Sequence, residues 1–232
     1  MVQITWLGHS SFQIGLASGE VLLLDPWLGN PNYPAGHAIT RVDAILVSHG
    51  HFDHIANTVA LAKEHSSTVV GIYEVCMFAK ARGAANIAPM NKGGSQQVGS
   101  VKVSMTHALH SSGIEDESGH IQYGGEAAGY VLRFPDGRAA YFAGDTAVFG
   151  DMALIAQLHK PDLAFLPIGD LFTMGPQEAA LACRLIKPAK VIPMHWGTFP
   201  ALTGRPEHLA DEIRDLAGTQ VWTLTPGQTV DW

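Results

Sequence analysis

His49-Gly50-His51-Phe52-Asp53-His54 places three imidazoles and a carboxylate within six residues, directly after the apolar run Ala44–Val47. Imidazole and carboxylate are the ligands that zinc, manganese or iron accept, and alternate residues of an extended turn can aim two imidazoles at one ion. His49 and His51 therefore read as ligands of a first ion, with Asp53 and His54 facing a second. Histidines that cap a helix or sit solvated in a loop are the competing reading, and this density argues against it. Two adjacent divalent ions can lower the pKa of a shared water towards neutrality and stabilise a developing oxyanion, so no serine or cysteine nucleophile is required.

Other residues of ligand type also stand where apolar runs end: His9 after Ile4–Leu7, Asp25 after Leu22–Leu24, Asp145 after Phe142-Ala143-Gly144, Asp170 after Leu166–Gly169 and His195 after Ile192–Met194. Open α/β sheets place their sites beyond the carboxyl ends of their strands, so these side chains are candidates for one cleft. His107 and His110 both follow the run Val101–Met105 and compete for one place in it.

The elements that must position these residues follow from hydrophobic patterning. Strands are predicted at Val2–Leu7, Val21–Leu24, Ala44–Val47, Thr68–Ile72, Val101–Met105, Tyr130–Phe134, Ala139–Ala143, Leu163–Ile168, Val191–Met194 and Val221–Leu224. Helices are predicted at Asn57–His65, Glu74–Arg82, Asp151–His159, Pro176–Lys187 and Glu207–Ala217, the fourth with a proline-led start. The alternation indicates an α/β class. Ser111–Gly125, polar and containing glycine, is expected to be a mobile loop.

With 232 residues and 47% hydrophobic content, the chain has the size of one large domain or two fused halves, and a single domain over 1–232 is expected. A formal charge of −7 with 15% charged residues repels polyanions, so no nucleic-acid partner is expected. Cys76 and Cys183 fall in predicted helices without partners at ligand spacing, which suggests neither a disulfide framework nor a thiolate site. No signal-peptide pattern precedes the first strand and no apolar stretch reaches the roughly 20 residues of a membrane span, so a cytoplasmic location is expected.

His-x-His-x-Asp-His after an apolar strand resembles the signature of the metallo-β-lactamase superfamily, in particular its hydrolytic members. Flavodiiron relatives carry Glu at the position of His51, which separates this chain from them. The resemblance extends through Trp6-Leu7-Gly8-His9-Ser10-Ser11-Phe12, Leu109–Gly113, Ala143–Thr146, Pro167–Asp170, Thr173–Pro176 and Ile192–His195. These segments are similar to a family of predicted metal-dependent hydrolases near the ascorbate-6-phosphate lactonase and N-acylphosphatidylethanolamine phospholipase D branches.

The resemblance implies an αββα sandwich, two mixed sheets with helices on the outer faces. It assigns His49, His51 and His110 to one ion, Asp53, His54 and His195 to the other, and Asp145 to a bridge between them. The His-Ser-Ser-Gly context favours His110 over His107. Two divalent transition-metal ions are implied, zinc first, with manganese, iron or nickel as alternatives. Two such ions, two carboxylates and one bridging hydroxide leave a net +1 centre suited to an ester-like bond, a phosphodiester or a lactone, in a small or medium anionic molecule. Asp53 would orient the hydroxide or accept its proton.

His9 reads as touching substrate or supporting a ligand, and Asp25 and Asp170 each as holding a ligating imidazole through its second nitrogen, with turn formation as the alternative. Thr173, Met174, Trp196, Thr198 and Phe199 are candidates for the cleft wall. A nuclease of the same superfamily and a non-catalytic metal-binding regulator are the rival functions, and exposed apolar surface in such a fold is compatible with homo-oligomers.

Overall fold

Runs of two to seven residues, most of them apolar and closed by glycine, proline or polar residues, become the strands of two mixed sheets in the computed structural model, which describes residues 1–232. In chain order the first elements are β1 (Val2–Trp6), β2 (Phe12–Leu16), β3 (Val21–Leu24), β4 (Ala44–Leu46), α1 (Phe52–Ile55), α2 (Thr58–His65), β5 (Thr68–Ile72) and α3 (Tyr73–Ala81). There follow β6 (Asn86–Met90), β7 (Ser95–Val98), β8 (Val101–His107), β9 (Gly113–Glu115), β10 (Ile121–Tyr123), β11 (Ala128–Arg133) and β12 (Ala139–Phe142). The chain ends with α4 (Met152–His159), β13 (Leu163–Pro167), α5 (Pro176–Ile186), β14 (Lys190–Met194), α6 (Pro206–Glu212), β15 (Gln220–Val221) and β16 (Thr229–Asp231). None of the helices is long and apolar enough to cross a membrane.

The first of two compact units comprises Met1–Gly94, Ser111–Ala127 and Thr225–Trp232. Its sheet runs β16-β1-β2-β3-β4-β5-β6, antiparallel from β16 to β3 and parallel from β3 to β6. Leu22, Leu23, Leu24, Ile45, Leu46, Val69 and Val70 are all buried, so successive residues on both faces of the parallel half are covered. That is why these strands read as continuous apolar runs rather than alternating ones. Pro89, which has no N–H to give a ladder, sits in the edge strand β6.

The second unit comprises Ser95–His110 and Ala128–Leu224. Its sheet, β15-β14-β13-β12-β11-β8-β7, is parallel from β15 to β12 and antiparallel from there to β7. Helix α5 starts with Pro176 in its first turn, and the Gly175 N–H donates to the Glu178 carboxylate at 3.3 Å. It buries Ala179, Ala180, Ala182, Cys183 and Ile186, spacings of three and four that form one helical face. This face joins Tyr141, Leu166, Met174 and Leu209 in the core of the unit.

Three expectations change, the first being the strand at Val221–Leu224, which is only Gln220–Val221. Ser111–Gly125, expected as a loop, carries the hairpin β9–β10, paired from Gly113–Tyr123 to Glu115–Ile121. Its strands are three residues long, too short to leave a period in the sequence. The last predicted helix stops at Glu212 because the backbone tightens into three-residue turns, with the Leu216 N–H donating to the Ile213 carbonyl at 2.8 Å.

Candidate metal centre

In the first unit, β3 and β4 lie side by side in parallel and deliver Asp25 and Ser48-His49 from their carboxyl ends. The Asp25 side chain is fully buried and surrounded by donors. The Ser48 N–H reaches Oδ1 at 2.7 Å, the Ser48 hydroxyl reaches Oδ2 at 2.6 Å, and His54 Nδ1 lies 2.7 Å from Oδ2. Burial pushes the Asp25 carboxyl up, and His54 and Ser48 oppose that shift by favouring the carboxylate.

This geometry fixes protons. With the Ser48 hydroxyl hydrogen committed to Asp25, the Ser48 oxygen accepts from His49 Nδ1, which stands 2.9 Å away. Asp25 therefore keeps the proton of His54 on Nδ1 directly and that of His49 on Nδ1 through Ser48. In both rings Nε2 is left with its lone pair, the form that binds a metal.

His51 precedes the single turn α1, and its carbonyl accepts the N–H groups of His54 and Ile55 at 3.0 Å each. The turn brings Asp53 and His54 round beside His49, whose ring centroid lies 4.1 Å from that of His54. His49 Nε2 stands 2.9 Å from His51 Nδ1. Two nitrogens each about 2.0–2.1 Å from one tetrahedral zinc ion are about 3.3 Å apart, so opening this pair by a few tenths of an ångström suits it to a shared ion. The donor set is thus of the borderline-hard kind that zinc or a similar divalent ion takes, with His49 and His54 held in the ligating tautomer.

The loop is braced by the β9–β10 hairpin. A Cβ on Gly50 would lie 2.5 Å from Ile114 Cγ1 and 3.1 Å from the Ser112 carbonyl oxygen, so only glycine permits this approach. The Gly50 N–H donates to the Ser112 hydroxyl at 3.0 Å, and the Ser111 hydroxyl lies 3.1 Å from His51 Nε2. His9 is buried, with Nε2 at 3.0 Å from Asp53 Oδ2, and so acts on the carboxylate of Asp53. Sequence reasoning missed Ser48, Ser111 and Ser112 as supports; the hydroxyls of Ser48 beside His49 and of Ser111 beside His110 were the available signal.

In the second unit, β12 leads into Asp145 and β14 into His195. His195 Nε2 stands 3.0 Å and His110 Nε2 3.6 Å from the same atom, Asp145 Oδ2. Leu109, beside His110, gives its N–H to Thr146 Oγ1 at 3.0 Å and accepts from Ala147, which ties this loop to the segment carrying Asp145. A Cβ on Gly169 would run into the His195 carbonyl oxygen. The ring of His107, the rival of His110, packs edge to face with Phe149, with centroids 5.3 Å apart.

Several residues fall elsewhere than expected. Asp170 holds no imidazole: it is exposed, and its carboxylate accepts the Leu171 N–H at 2.8 Å in a turn. Met174 is fully buried in the core of the unit rather than lining a cleft. The Thr173 hydroxyl points to the Met174 carbonyl at 3.4 Å, the half-buried Trp196 donates its indole N–H to the Pro193 carbonyl at 3.3 Å, Thr198 is buried and Phe199 is half-buried.

Eight residues other than glycine have positive φ. Ser66, Lys160 and Lys187 are left-handed caps at the ends of α2, α4 and α5, an ordinary use. His9 (51°), Asp25 (43°) and His195 (55°) are different, being strand-end residues whose side chains enter the polar clusters. Such conformations cost about 1–3 kcal/mol each and concentrate where function requires a particular side-chain direction.

A family model for the β-lactamase superfamily domain matches residues 21–196. A UPF0173 metal-dependent hydrolase of Solibacter usitatus is 62% identical over 232 residues, spanning 100% of both chains. A similarly named protein of Koribacter versatilis is 47% identical over 230 residues, covering 98% of this chain and 97% of its own. Among solved structures, Igni18, a metallo hydrolase from the archaeon Ignicoccus hospitalis, aligns with a TM-score of 0.85 at 29% identity over 99% of this chain and 97% of that one.

Proposed function

The chain belongs to the metallo-β-lactamase superfamily and is a metal-dependent hydrolase, and from that premise we propose that it cleaves an ester-like bond with a binuclear centre. In this reading His49, His51 and His110 would hold one ion, Asp53, His54 and His195 the other, and Asp145 would serve both. Two divalent ions, when bound, supply a hydroxide nucleophile at neutral pH and stabilise developing oxyanion charge. The observation that carries the proposal is the buried Asp25–Ser48 network, which sets two imidazoles in ligating form. Histidines that were merely solvated would have no such requirement.

The roles of the chain's own residues follow. Asp25 and Ser48 are positioning residues that hold His54 and His49 in one tautomer. His9, through Nε2, fixes the Asp53 carboxylate, which would help hold its ion and orient the reacting water or accept its proton. The substrate is a small or medium anionic molecule carrying a phosphodiester or a lactone, the bonds acted on by the branches that the motif set resembles. Metal-defined protein tested against phosphodiesters, lactones, thioesters and β-lactams decides the matter. Turnover of phosphodiesters or lactones, abolished by chelation and restored by up to two ions per chain, is the expected result. A folded protein that takes up no ion, or one that favours β-lactams or thioesters, would overturn it.

A further inference from the structure

Phe52 lies between the candidate ligands His51 and Asp53 and is nevertheless a large apolar side chain, 56% exposed. It does not stand alone. Its ring meets the half-buried Trp27 edge to face, centroids 5.5 Å apart at 83°, and Trp27 meets His9 in the same way at 5.3 Å and 86°. His9 in turn contacts Asp53 Oδ2 at 3.0 Å. Phe52 and Trp27 therefore form an aromatic shelf that is linked through the buried His9 to the carboxylate on which the proposed chemistry depends.

The shelf is rigidly mounted. The Trp27 N–H donates to Ser11 Oγ at 3.0 Å, and that hydroxyl donates to the Asp25 carbonyl at 2.6 Å. The Leu28 N–H donates to Asn57 Oδ1 at 2.7 Å, and the Asn57 N–H to the Pro26 carbonyl at 3.1 Å, so the loop carrying Trp27 is bonded to the chain that follows α1. A pre-organised apolar surface beside a polar reacting group loses little entropy when it receives a ligand.

Scattered exposed apolar residues are normal and by themselves mean nothing. The second unit, however, repeats the pattern independently. Leu109 adjoins His110 and is 48% exposed, while Leu171 (64%) and Phe172 (60%) lie on the loop that the Met174 N–H ties to the Thr146 carbonyl, next to Asp145. Apolar side chains thus flank candidate ligands on both units.

We propose that Trp27 and Phe52 form a subsite for an alkyl or aryl arm attached beside the scissile bond, which makes the substrate amphipathic: anionic or polar at the reacting centre and apolar in the adjacent arm. The proposal rests on the reading of Asp53 as part of the hydrolytic centre.

Alkylphosphonates with methyl, butyl and octyl arms, titrated calorimetrically into the metal-loaded protein, test it without any need for turnover. Affinity is expected to rise about two- to fourfold per methylene over the first carbons, four being the limit for full burial. Phe52→Ala and Trp27→Ala should flatten that rise, and Phe52→Leu should retain most of it. Phe52 is exposed, so its replacement does not threaten folding. Affinity independent of arm length, or a wild-type rise in Phe52→Ala, would overturn the subsite. So would a Phe52→Ala variant that keeps the rise but sediments as a smaller species than wild type, because the shelf would then be a contact between copies of the chain. If no phosphodiester or lactone is turned over while the arm-length dependence holds and is lost in Phe52→Ala, the subsite stands and the reaction assignment falls.

Discussion

Replacing Asp25 with asparagine changes almost no volume and sharply separates a proton-fixing role from mere packing. Asp25 accepts three donors, the Ser48 N–H on one oxygen and the Ser48 hydroxyl and His54 Nδ1–H on the other. A carboxamide has only one oxygen. If that oxygen takes the place of Oδ2, the new NH2 group faces the Ser48 N–H, and a fully buried donor left without an acceptor costs about 1–3 kcal/mol. If the amide is reversed, its NH2 drives His54 to accept on Nδ1 and turns the Ser48 hydroxyl towards His49. Both rings then carry their proton on Nε2, where an ion would bind.

Loss of an orienting partner typically weakens metal affinity about 10- to 100-fold. His49 and His54 are assigned to different ions, so Asp25→Asn should weaken joint loading on the order of 10²–10⁴-fold, while Ser48→Ala, which touches only His49, should weaken one ion about 10- to 100-fold. Competition against a chelator gives the affinities, and ring nitrogen NMR shifts of the metal-free protein report the tautomers. A folded Asp25→Asn variant that loads two ions with wild-type affinity would refute the reasoning, as would equal weakening of both ions by Ser48→Ala.

His110→Ala should lose metal far more readily than His107→Ala, because His110 converges with His195 on Asp145 whereas His107 packs against Phe149; elemental analysis of both folded variants checks this, and equal retention would reverse the choice. Asp53→Ala is expected to lower kcat about 10²–10⁴-fold beyond any loss of ion occupancy, with small effect on stability; near wild-type turnover at full metal content would remove Asp53 from the mechanism. Burial pushes the Cys76 and Cys183 thiols up to about 12. Only about one thiolate in 10⁴ is then present at pH 8, so a thiol reagent should label neither cysteine in the folded protein and both after denaturation; rapid native labelling would contradict the packing of α3 and α5.

The parallel strands of both sheets were legible because burial on both faces makes Val21–Leu24, Thr68–Ile72 and Leu163–Pro167 uninterrupted apolar runs, against which a polar residue at the carboxyl end stands out. β7, with the sequence Ser-Gln-Gln-Val, and the short β9, β10 and β16 lie at sheet edges or in a two-stranded ribbon and bury too little to leave a pattern. Asp25 and Asp170 are indistinguishable in sequence, each a carboxylate after an apolar run in proline- or glycine-containing surroundings. Burial separates them: Asp25 is sealed among donors and Asp170 caps a turn in solvent. Ser48 could not be recognised from its residue type, because its importance lies in where its hydroxyl hydrogen is already committed.

The pairing of β1 with β16 imposes an order on biosynthesis. Gln3 lies opposite Asp231, and their side chains are bonded across 228 positions of chain. At about 5–20 residues per second, the ribosome adds the partner of β1 roughly 10–50 s after β1 itself has been made. Throughout that interval one edge of β1 has no ladder partner, while β2 and the rest of its sheet can already have formed. The nascent chain thus carries an open β edge until β16 has been made, the state in which strand-to-strand association between chains is easiest. Protection of that edge therefore depends on β16, far in sequence from any group that does chemistry.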